Sequence, residues 1–380
     1  MTKGVKKTII QPYRPIVFSR ENISAAFVLH PKRTKLKYSV EGKMKLKAVA
    51  GVFRTRYFLG KSVKEQNPNV ILELEKAGKN GRTFGVKDSS QISDEVIELL
   101  RANKYVWNTI DTCSDRGRAV DIQLVNPITG RVMTGSSSGT AINVLYGLND
   151  IGIGTDGGGS VMAPAIALNL YSLLCTGAGF VGEKKRESTD GLVFQSGTGF
   201  IAQYFKNLCD IGELLGEGEE QNIGVMVMRG AERYLTDEFK SVYKNFQLSK
   251  DRFFSDRREG LEYLEEIFQT VDILIYIEHD IDTEGMGDSV YGSMGKHAGE
   301  QQKDSGKNLI KILNMAECSA VSIPIEDVGS SIVIAGRKGK KYLKAIIEIG
   351  KILDREYRPE LYRKYFLNSP LQEMDSRSFK

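Results

Sequence analysis

The chain carries no charged residue between Gly157 and Gly182. A stretch of this length must be kept away from water almost entirely, so it lies inside a large folded domain or across a membrane. Pro164, Asn169 and several serines, threonines and glycines interrupt it, which is unfavourable for a membrane-spanning helix. We therefore predict a buried helix within a large domain, and no membrane span.

Composition places the protein among globular chains. Its 380 residues are 41% hydrophobic and 27% charged, which excludes a disordered or fibrous chain. The four cysteines are far apart and form no Cys-x-x-Cys pair, so neither a disulfide framework nor a zinc site is indicated. The amino terminus has no apolar segment typical of a signal peptide. We expect a reduced, cytoplasmic protein without a bound metal.

Apolar strand-like segments alternate with amphipathic helical ones after residue 65. Ser93 is a candidate N-cap for a helix that presents Val96 and Leu100 on one face. This alternation predicts an α/β fold, a mixed central β-sheet covered by helices on both faces. The predicted strands are 105–110, 223–227, 272–277, 321–323 and 332–335, and the predicted helices are centred on Leu264, Ile310 and Ile347.

The amino-terminal segment 1–64 is strongly basic. It carries a net charge of +14, which leaves −9 for residues 65–380. We predict a basic extension over 1–64, partly strand-like, ahead of a catalytic domain over 65–380. Lys43, Lys45 and Lys47 alternate with apolar residues, which favours a strand with one solvated face. The alternative is a surface for an acidic partner or nucleic acid.

A glycine-rich segment around residue 155 first suggests a nucleotide site. Gly152, Gly154 and Gly157 match the dinucleotide-binding spacing. That site needs an acidic residue about twenty positions later to hold the ribose, and the chain is uncharged up to Glu183. No Lys-Ser or Lys-Thr pair follows the glycines, which excludes a phosphate-binding P-loop. We therefore predict no cofactor.

The same segment fits nucleophilic catalysis. Successive glycines before Ser160 let backbone N–H groups converge on one point, as an oxyanion hole requires. A serine hydroxyl needs a base, and none of His30, His279 and His297 lies beside a motif. A buried lysine could serve instead, because desolvation favours its neutral form.

Three segments resemble the amidase signature family of serine hydrolases. They read Gly85-Val-Lys-Asp, Thr134-Gly-Ser-Ser-Ser-Gly and Gly154-Thr-Asp-Gly-Gly-Gly-Ser, and Asn314-Met-Ala-Glu-Cys-Ser-Ala-Val-Ser-Ile-Pro is similar to a downstream stretch of the family. The resemblance extends from about residue 80 to 355. It implies the family's α/β fold and a Ser–cis-Ser–Lys triad.

The resemblance assigns the site residue by residue. Ser160 falls on the nucleophile, Ser136 on the cis-serine 24 positions earlier, and Lys87 on the catalytic base. Thr155 and Asp156 are interpreted as structural supports of the loop. The backbone N–H groups assigned to the oxyanion hole, beside that of Ser160 itself, are those of Gly157, Gly158 and Gly159.

The implied activity is cleavage of a small-molecule or peptide amide through an acyl-serine. Alternatives are an amidotransferase-like subunit that transfers ammonia, and a non-catalytic binding protein on the same scaffold. The chain departs from the family pattern at Ser138, at Met162 in place of arginine, and at Leu174-Cys-Thr in place of Lys-Pro-Thr. The 49 positions from Lys87 to Ser136 are fewer than usual in the family.

An acidic segment follows the predicted strand 272–277. Glu278, Asp280, Asp282 and Glu284 read most simply as a solvated loop, and alternatively as a substrate mouth that favours cationic groups. A calcium loop is disfavoured because Tyr291 stands where a bidentate glutamate is needed.

Overall fold

The computed structural model describes residues 40–218 and 222–367. Helices are separated by strands along most of the chain. The helices are α1 (Val40–Thr55), α2 (Val70–Ala77), α3 (Asp94–Ala102), α4 (Ser138–Leu145), α5 (Met162–Ile166), α6 (Phe205–Leu215), α7 (Asp237–Val242), α8 (Arg257–Thr270), α9 (Ser289–Gly292), α10 (Lys296–Lys303), α11 (Lys340–Leu353) and α12 (Glu360–Tyr362).

Most of the strands belong to one large sheet. The strands are β1 (Val63–Gln66), β2 (Arg82–Lys87), β3 (Tyr105–Asp111), β4 (Val120–Val125), β5 (Val132–Thr134), β6 (Ile151–Asp156), β7 (Tyr171–Leu174), β8 (Val181–Glu187), β9 (Val193–Ala202), β10 (Val225–Met228), β11 (Gln247–Ser249), β12 (Ile273–Glu278), β13 (Ser319–Pro324) and β14 (Ser331–Gly336).

The large sheet is mixed. Its order is β1-β3-β2-β6-β9-β7-β13-β14-β12-β10-β11, with β8 paired to β9, while β4 and β5 form a separate hairpin. Strand β2 runs parallel to both β3 and β6, and β10 runs parallel to β11 and β12. The central pairs β6–β9, β7–β13 and β13–β14 are antiparallel. The predicted mixed α/β sheet is confirmed.

Both faces of the sheet are buried. In β14, Ile332 and Ile334 pack in one hydrophobic cluster, while Val333 and Ala335 pack in another. Successive side chains of a strand point to opposite faces, so the two clusters lie on opposite sides of the sheet. Helix α11 covers the first face and α8 covers the second. Continuous apolar strands are expected where both faces are covered.

The apolar strands predicted from the sequence are confirmed with shifts of one or two residues at their ends. Ser93 is the N-cap of α3, where its side chain accepts a hydrogen bond from the Val96 N–H. The helices predicted around Leu264 and Ile347 are α8 and α11.

Residues 161–178 of the uncharged stretch are all buried, but the single helix predicted for it is wrong. It contains a glycine loop, the five-residue helix α5 and strand β7. Asn169 has a φ of +48°, a left-handed conformation that ends the helical segment before the strand begins. Burial on all sides removes the periodicity that would distinguish a short helix from a strand.

Two further predictions are corrected. Residues 43–47 belong to helix α1 and not to a strand. Ala48, Val52 and Thr55 are buried at helical spacing, and this longer pattern outweighs the short alternation of lysines. Around Ile310 the chain forms only a 3₁₀ turn, Leu309–Lys311, in place of a helix.

The described helices contain none that is long and apolar enough to cross a membrane. Residues 40–218 and 222–367 belong to one compact unit. Most of the basic segment 1–64 lies outside the described residues, so its proposed role and the boundary at residue 64 stay predictions.

Gly152 tests how closely α4 packs on β6. A Cβ at this position would meet the Thr140 methyl group and would lie 3.0 Å from a Val144 methyl carbon. We expect Gly152→Ala to lower the free energy of unfolding by about 1–3 kcal/mol, because helix and strand must separate. Urea unfolding would measure this change.

Gly299→Ala is the matched control. This glycine lies in α10, and the nearest atom to an added Cβ is the Gly292 carbonyl oxygen at 3.4 Å. Alanine there should be neutral or stabilising by up to about 1 kcal/mol, because alanine favours helix. Equal losses in the two variants would contradict close packing at Gly152.

Candidate active site

The site lies at one edge of the parallel strands. Lys87 ends β2 and Asp156 ends β6, and the two strands are parallel neighbours, so their carboxyl ends meet at the same edge of the sheet. Open parallel sheets bind ligands at this edge, because the loops that leave the strands diverge there. The parallel direction of β2 and β6 therefore brings the Gly85–Asp88 motif and the glycine loop of 157–160 to the same edge of the sheet.

Lys87 is buried, with 5% of its surface exposed. Its Nζ donates to Ser136 Oγ at 2.7 Å, to Thr155 Oγ1 at 3.0 Å and to the Thr155 carbonyl oxygen at 3.3 Å. Three acceptors match the three protons of an ammonium group, and loss of one proton would leave a lone pair for a hydroxyl proton. Lys87 and Ser136 are thus placed for proton exchange.

Burial shifts the pKa of Lys87. Desolvation lowers the pKa of its ammonium group to about 8, and the charge of Arg186 acts in the same direction. Cys113 and Asp156 oppose this shift. Asp88, the next residue, does not pair with Lys87: its carboxylate pairs with Lys64 at 2.8 Å near the surface.

The serine-rich loop joins β5 to α4. The Gly135–Ser136 peptide bond is cis, as the resemblance implies. A side chain at Gly135 would collide with the Arg118 carbonyl oxygen at 2.5 Å. The Gly135 N–H donates to the Ala119 carbonyl oxygen at 2.9 Å, and the Ser114 N–H donates to the Ser136 carbonyl oxygen at 3.2 Å. These bonds hold Ser136 against the neighbouring 112–119 loop.

Asp156 organises the loop that carries Ser160. Its buried carboxylate accepts N–H hydrogen bonds from Gly159 at 2.6 Å, Val161 at 2.7 Å and Met162 at 3.3 Å. Gly159 has a φ of +92°, which an L-residue with a side chain rarely adopts. The interpretation of Asp156 as a structural support is confirmed. The Gly159 N–H, assigned to the oxyanion hole from the sequence, points to this carboxylate.

The serine loop and the glycine loop are tied together. The Ser137 N–H donates to the Ser160 carbonyl oxygen at 3.0 Å. Lys87, Ser136 and Ser160 line one cavity of about 830 Å³, together with Gly157 and Gly158. The structure therefore brings the three predicted triad residues and two of the three predicted oxyanion glycines to one cavity.

Charged residues that sequence reasoning missed also line this cavity. Arg118 donates to Asp288 from its Nε at 3.0 Å, and Arg257 pairs with Asp190 at 2.9 Å. Arg186 lies on β8, directly after Lys184 and Lys185. Each sits in a polar stretch that reads as solvated surface. Only the tertiary fold places these side chains around the serines.

The acidic segment that starts at the end of β12 is neither a wholly solvated loop nor a mouth for cations, because Glu278 and Asp282 are buried. The buried Glu278 carboxylate accepts the N–H groups of Asn308 at 2.8 Å and Ile310 at 2.9 Å. Those bonds draw the backbone of 308–310 onto the carboxylate, which accounts for the 3₁₀ turn in place of a helix. Asp282 forms a buried ion pair with Lys307 at 2.9 Å. Among the described residues, no cluster of three or more His, Cys, Asp or Glu side chains could hold a metal.

Comparison with known proteins identifies the fold. The family model described as Amidase matches residues 120–176, which include both serine motifs. A solved structure of 6-aminohexanoate cyclic dimer hydrolase with substrate superposes with a TM-score of 0.60 at 14% identity, over 85% of this chain and 96% of that one. The resemblance to the amidase signature family is confirmed. No curated protein sequence matches significantly.

Other amidase-signature structures agree. A component of glutamyl-tRNA(Gln) amidotransferase from Thermotoga maritima gives a TM-score of 0.54 at 14% identity, over 85% of this chain and 93% of that one. Peptide amidase from Stenotrophomonas maltophilia gives 0.52 at 12% identity, over 83% and 94%. At these identities the likeness shows a shared fold.

The departures from the amidase-signature pattern have structural counterparts. Ser138 is buried and donates from its Oγ to Asp121 Oδ2. Met162 is fully buried in the hydrophobic cluster under α8, where it has no access to the cavity. Leu174 and Cys175 are fully buried, and Thr176, which the family pattern shares, donates from its Oγ1 to Asn314 Oδ1 at 2.7 Å.

Asp156 provides a test of the loop support. Asn in its place would direct amide protons at backbone N–H groups, so we expect Asp156→Asn to lower the free energy of unfolding by about 1–3 kcal/mol. Urea unfolding at neutral pH would measure this.

Asp190→Asn is the matched control, because Asp190 is partly exposed and its pair with Arg257 lies at the rim. Its effect should be below about 1 kcal/mol. A larger loss from Asp190→Asn than from Asp156→Asn would contradict the supporting role of Asp156.

Proposed function

We propose that this protein hydrolyses carboxamides through an acyl-serine intermediate on Ser160, with Ser136 as proton relay and Lys87 as base. The observation that carries the proposal is the contact of 2.7 Å between Lys87 Nζ and Ser136 Oγ, made by a lysine whose pKa burial lowers to about 8. A lysine with its usual pKa of about 10.4 would be almost fully protonated near neutrality and could not accept a proton.

The first half of the reaction forms the acyl-enzyme. Neutral Lys87 takes a proton from Ser136 Oγ, which takes one from Ser160 Oγ as the latter attacks the amide carbonyl. Negative charge develops on the carbonyl oxygen, and the backbone N–H groups of the glycine loop stabilise it. The C–N bond then breaks, and the proton returns through Ser136 to the leaving nitrogen.

The second half consumes one water molecule. Water attacks the acyl carbon and passes a proton along the same relay to Lys87. The C–O bond to Ser160 then breaks, the proton returns through Ser136 to Ser160 Oγ, and the carboxylic acid is released. In the glycine loop, Gly157, Gly158 and Ser160 line the cavity, and we propose that their backbone N–H groups form the oxyanion hole. The Gly159 N–H donates to Asp156, so we propose that Gly159 acts chiefly by its left-handed backbone, which turns the loop.

Transfer of the ammonia to a second acceptor would use the same acyl-serine step. The fold is similar to that of an amidotransferase component and to that of hydrolases alike, and hydrolysis needs no further partner. Release of free ammonia from an amide by the purified chain would favour hydrolysis. Ammonia release only after addition of a second protein would favour the amidotransferase. If no ammonia is released under either condition and the probe labels no serine, the result would favour a binding protein.

Ser160 should be the residue that becomes acylated. A fluorophosphonate probe phosphonylates an activated serine, so intact-mass spectrometry should show one adduct, absent in Ser160→Ala. Ser137→Ala is the control, because Ser137 neighbours the relay but lies buried on the α4 side of the loop. An adduct that persists in Ser160→Ala would refute the assignment.

The pH dependence should follow Lys87. Because the deprotonated lysine is the active form, the rate should rise through a pH of about 8 and level off above it. Lys87→Ala should lower kcat by about 10²–10⁴-fold, the usual contribution of a general base.

Lys87→Arg separates charge from proton transfer. The guanidinium remains protonated, so this variant should be as impaired as Lys87→Ala and show no rise near pH 8. Circular dichroism would verify that both variants fold. Near-normal turnover of Lys87→Arg would mean that the base lies elsewhere.

A further inference from the structure

Four of the charged residues that line the cavity are neutralised by pairing. Arg118 pairs with Asp288, Arg257 pairs with Asp190 at 2.9 Å, and Asp88 pairs with Lys64 at 2.8 Å. The charge of a paired guanidinium or carboxylate is offset by its partner, so it attracts a further ion less strongly than an unpaired group does. The groups without such a partner are the candidates for substrate binding.

Arg186 is a cation of the cavity that has no ion-pair partner among the described residues. It lies on β8, its side chain is exposed, and it lines the same cavity as Ser136 and Ser160. Its guanidinium forms no hydrogen bond or ion pair with any other residue in 40–218 and 222–367. It is also close enough to Lys87 for its charge to act on that amino group.

Other unpaired charges of the cavity act less directly on the centre. Arg116, Asp115 and Glu187 also line it, but Arg186 is the one of these four whose charge shifts the pKa of Lys87. Coulomb interactions weaken with distance, so Arg186 is the unpaired charge that most affects the reaction centre. A substrate group of opposite charge would therefore be drawn to this side of the catalytic serine.

We propose that Arg186 binds a carboxylate of the substrate, so that the preferred substrates are amides that carry an acidic group. This inference rests on the proposed function. A planar guanidinium matches a carboxylate with two parallel N–H···O bonds, which also fixes the orientation of the substrate. The substrate carboxylate would then be bound by Arg186 on β8, and the amide carbonyl would face Ser160.

The test compares acidic and neutral amides. The acidic substrates are the monoamides of malonic, succinic, glutaric and adipic acid, and the neutral ones are the unbranched carboxamides of the same chain lengths. The full-length protein should prefer the acidic amide at one chain length. The preferred chain length would indicate the distance between the Arg186 guanidinium and Ser160 Oγ.

Arg186→Gln should remove this preference. We expect kcat/KM for the best acidic amide to fall about ten- to a hundredfold, the value of a charge-assisted hydrogen bond, chiefly through KM. The neutral amide should change by less than about threefold. Because loss of Arg186 would also raise the pKa of Lys87, both proteins are compared on the alkaline plateau of their pH profiles, where that effect vanishes.

Two variants of the same cavity serve as controls. Glu187→Gln changes the neighbouring charge on β8, and Arg116→Gln removes the other unpaired arginine. Both should keep the preference for the acidic amide. Equal losses for acidic and neutral amides in Arg186→Gln, or loss of the preference in Arg116→Gln alone, would overturn the proposal.

Calorimetry separates this proposal from the proposed function. Succinate and glutarate are titrated into Ser160→Ala with and without Arg186→Gln, which requires no turnover. Suppose that dicarboxylate binding depends on Arg186 but the probe never labels Ser160 in the unmutated protein. That result would support the carboxylate site and reject amide hydrolysis. Labelling of Ser160 with no dicarboxylate binding and no acidic preference would keep the hydrolase and reject Arg186.

Discussion

The amino group of Lys87 is held out of water between Ser136 and Thr155, and the rest of the site is arranged around that contact. A buried ammonium is costly unless its protons are bonded, and here each bond also fixes an element: Ser136 from the serine loop and Thr155 from β6. The lysine thus joins the two motifs mechanically while burial weakens its hold on a proton. Burial of Lys87 between the two motifs is therefore the common origin of the link between them and of the lowered pKa of its amino group.

Asp156 acts both on the glycine loop and on Lys87. Its carboxylate is buried, which raises its pKa, but three backbone N–H groups oppose that shift by stabilising the charged form. Its negative charge also favours the ammonium form of Lys87. The balance between desolvation and Asp156 therefore sets how basic Lys87 is, and the lysine remains able to lose its proton near neutrality.

Much of this was predictable from the sequence because the determining features are local. Continuous apolar runs indicated β12 and β14, and glycine conformation and spacing located the loop before Ser160. The errors arose where tertiary contacts override local pattern. Glu278 is distant from Ile310 along the chain, yet its carboxylate holds the backbone there in a 3₁₀ turn. Arg186 follows two lysines and has no local feature that distinguishes it from solvated surface. Residues 40–55 show that a helix face is recognised only over several turns.

The order of elements along the chain separates the reactive groups from residues that enclose them. Lys87, Ser136 and Ser160 all precede residue 161, whereas Arg257, Asp288 and Met315, which line the same cavity, come from the second half. During synthesis the amino-terminal half leaves the ribosome first. Its strands β2 and β6 can pair while β12, β13 and β14 are still unmade. The part of the cavity that Arg257, Asp288 and Met315 line would then still be open to water. The residues proposed to carry out catalysis are thus made well before those that complete the cavity around them.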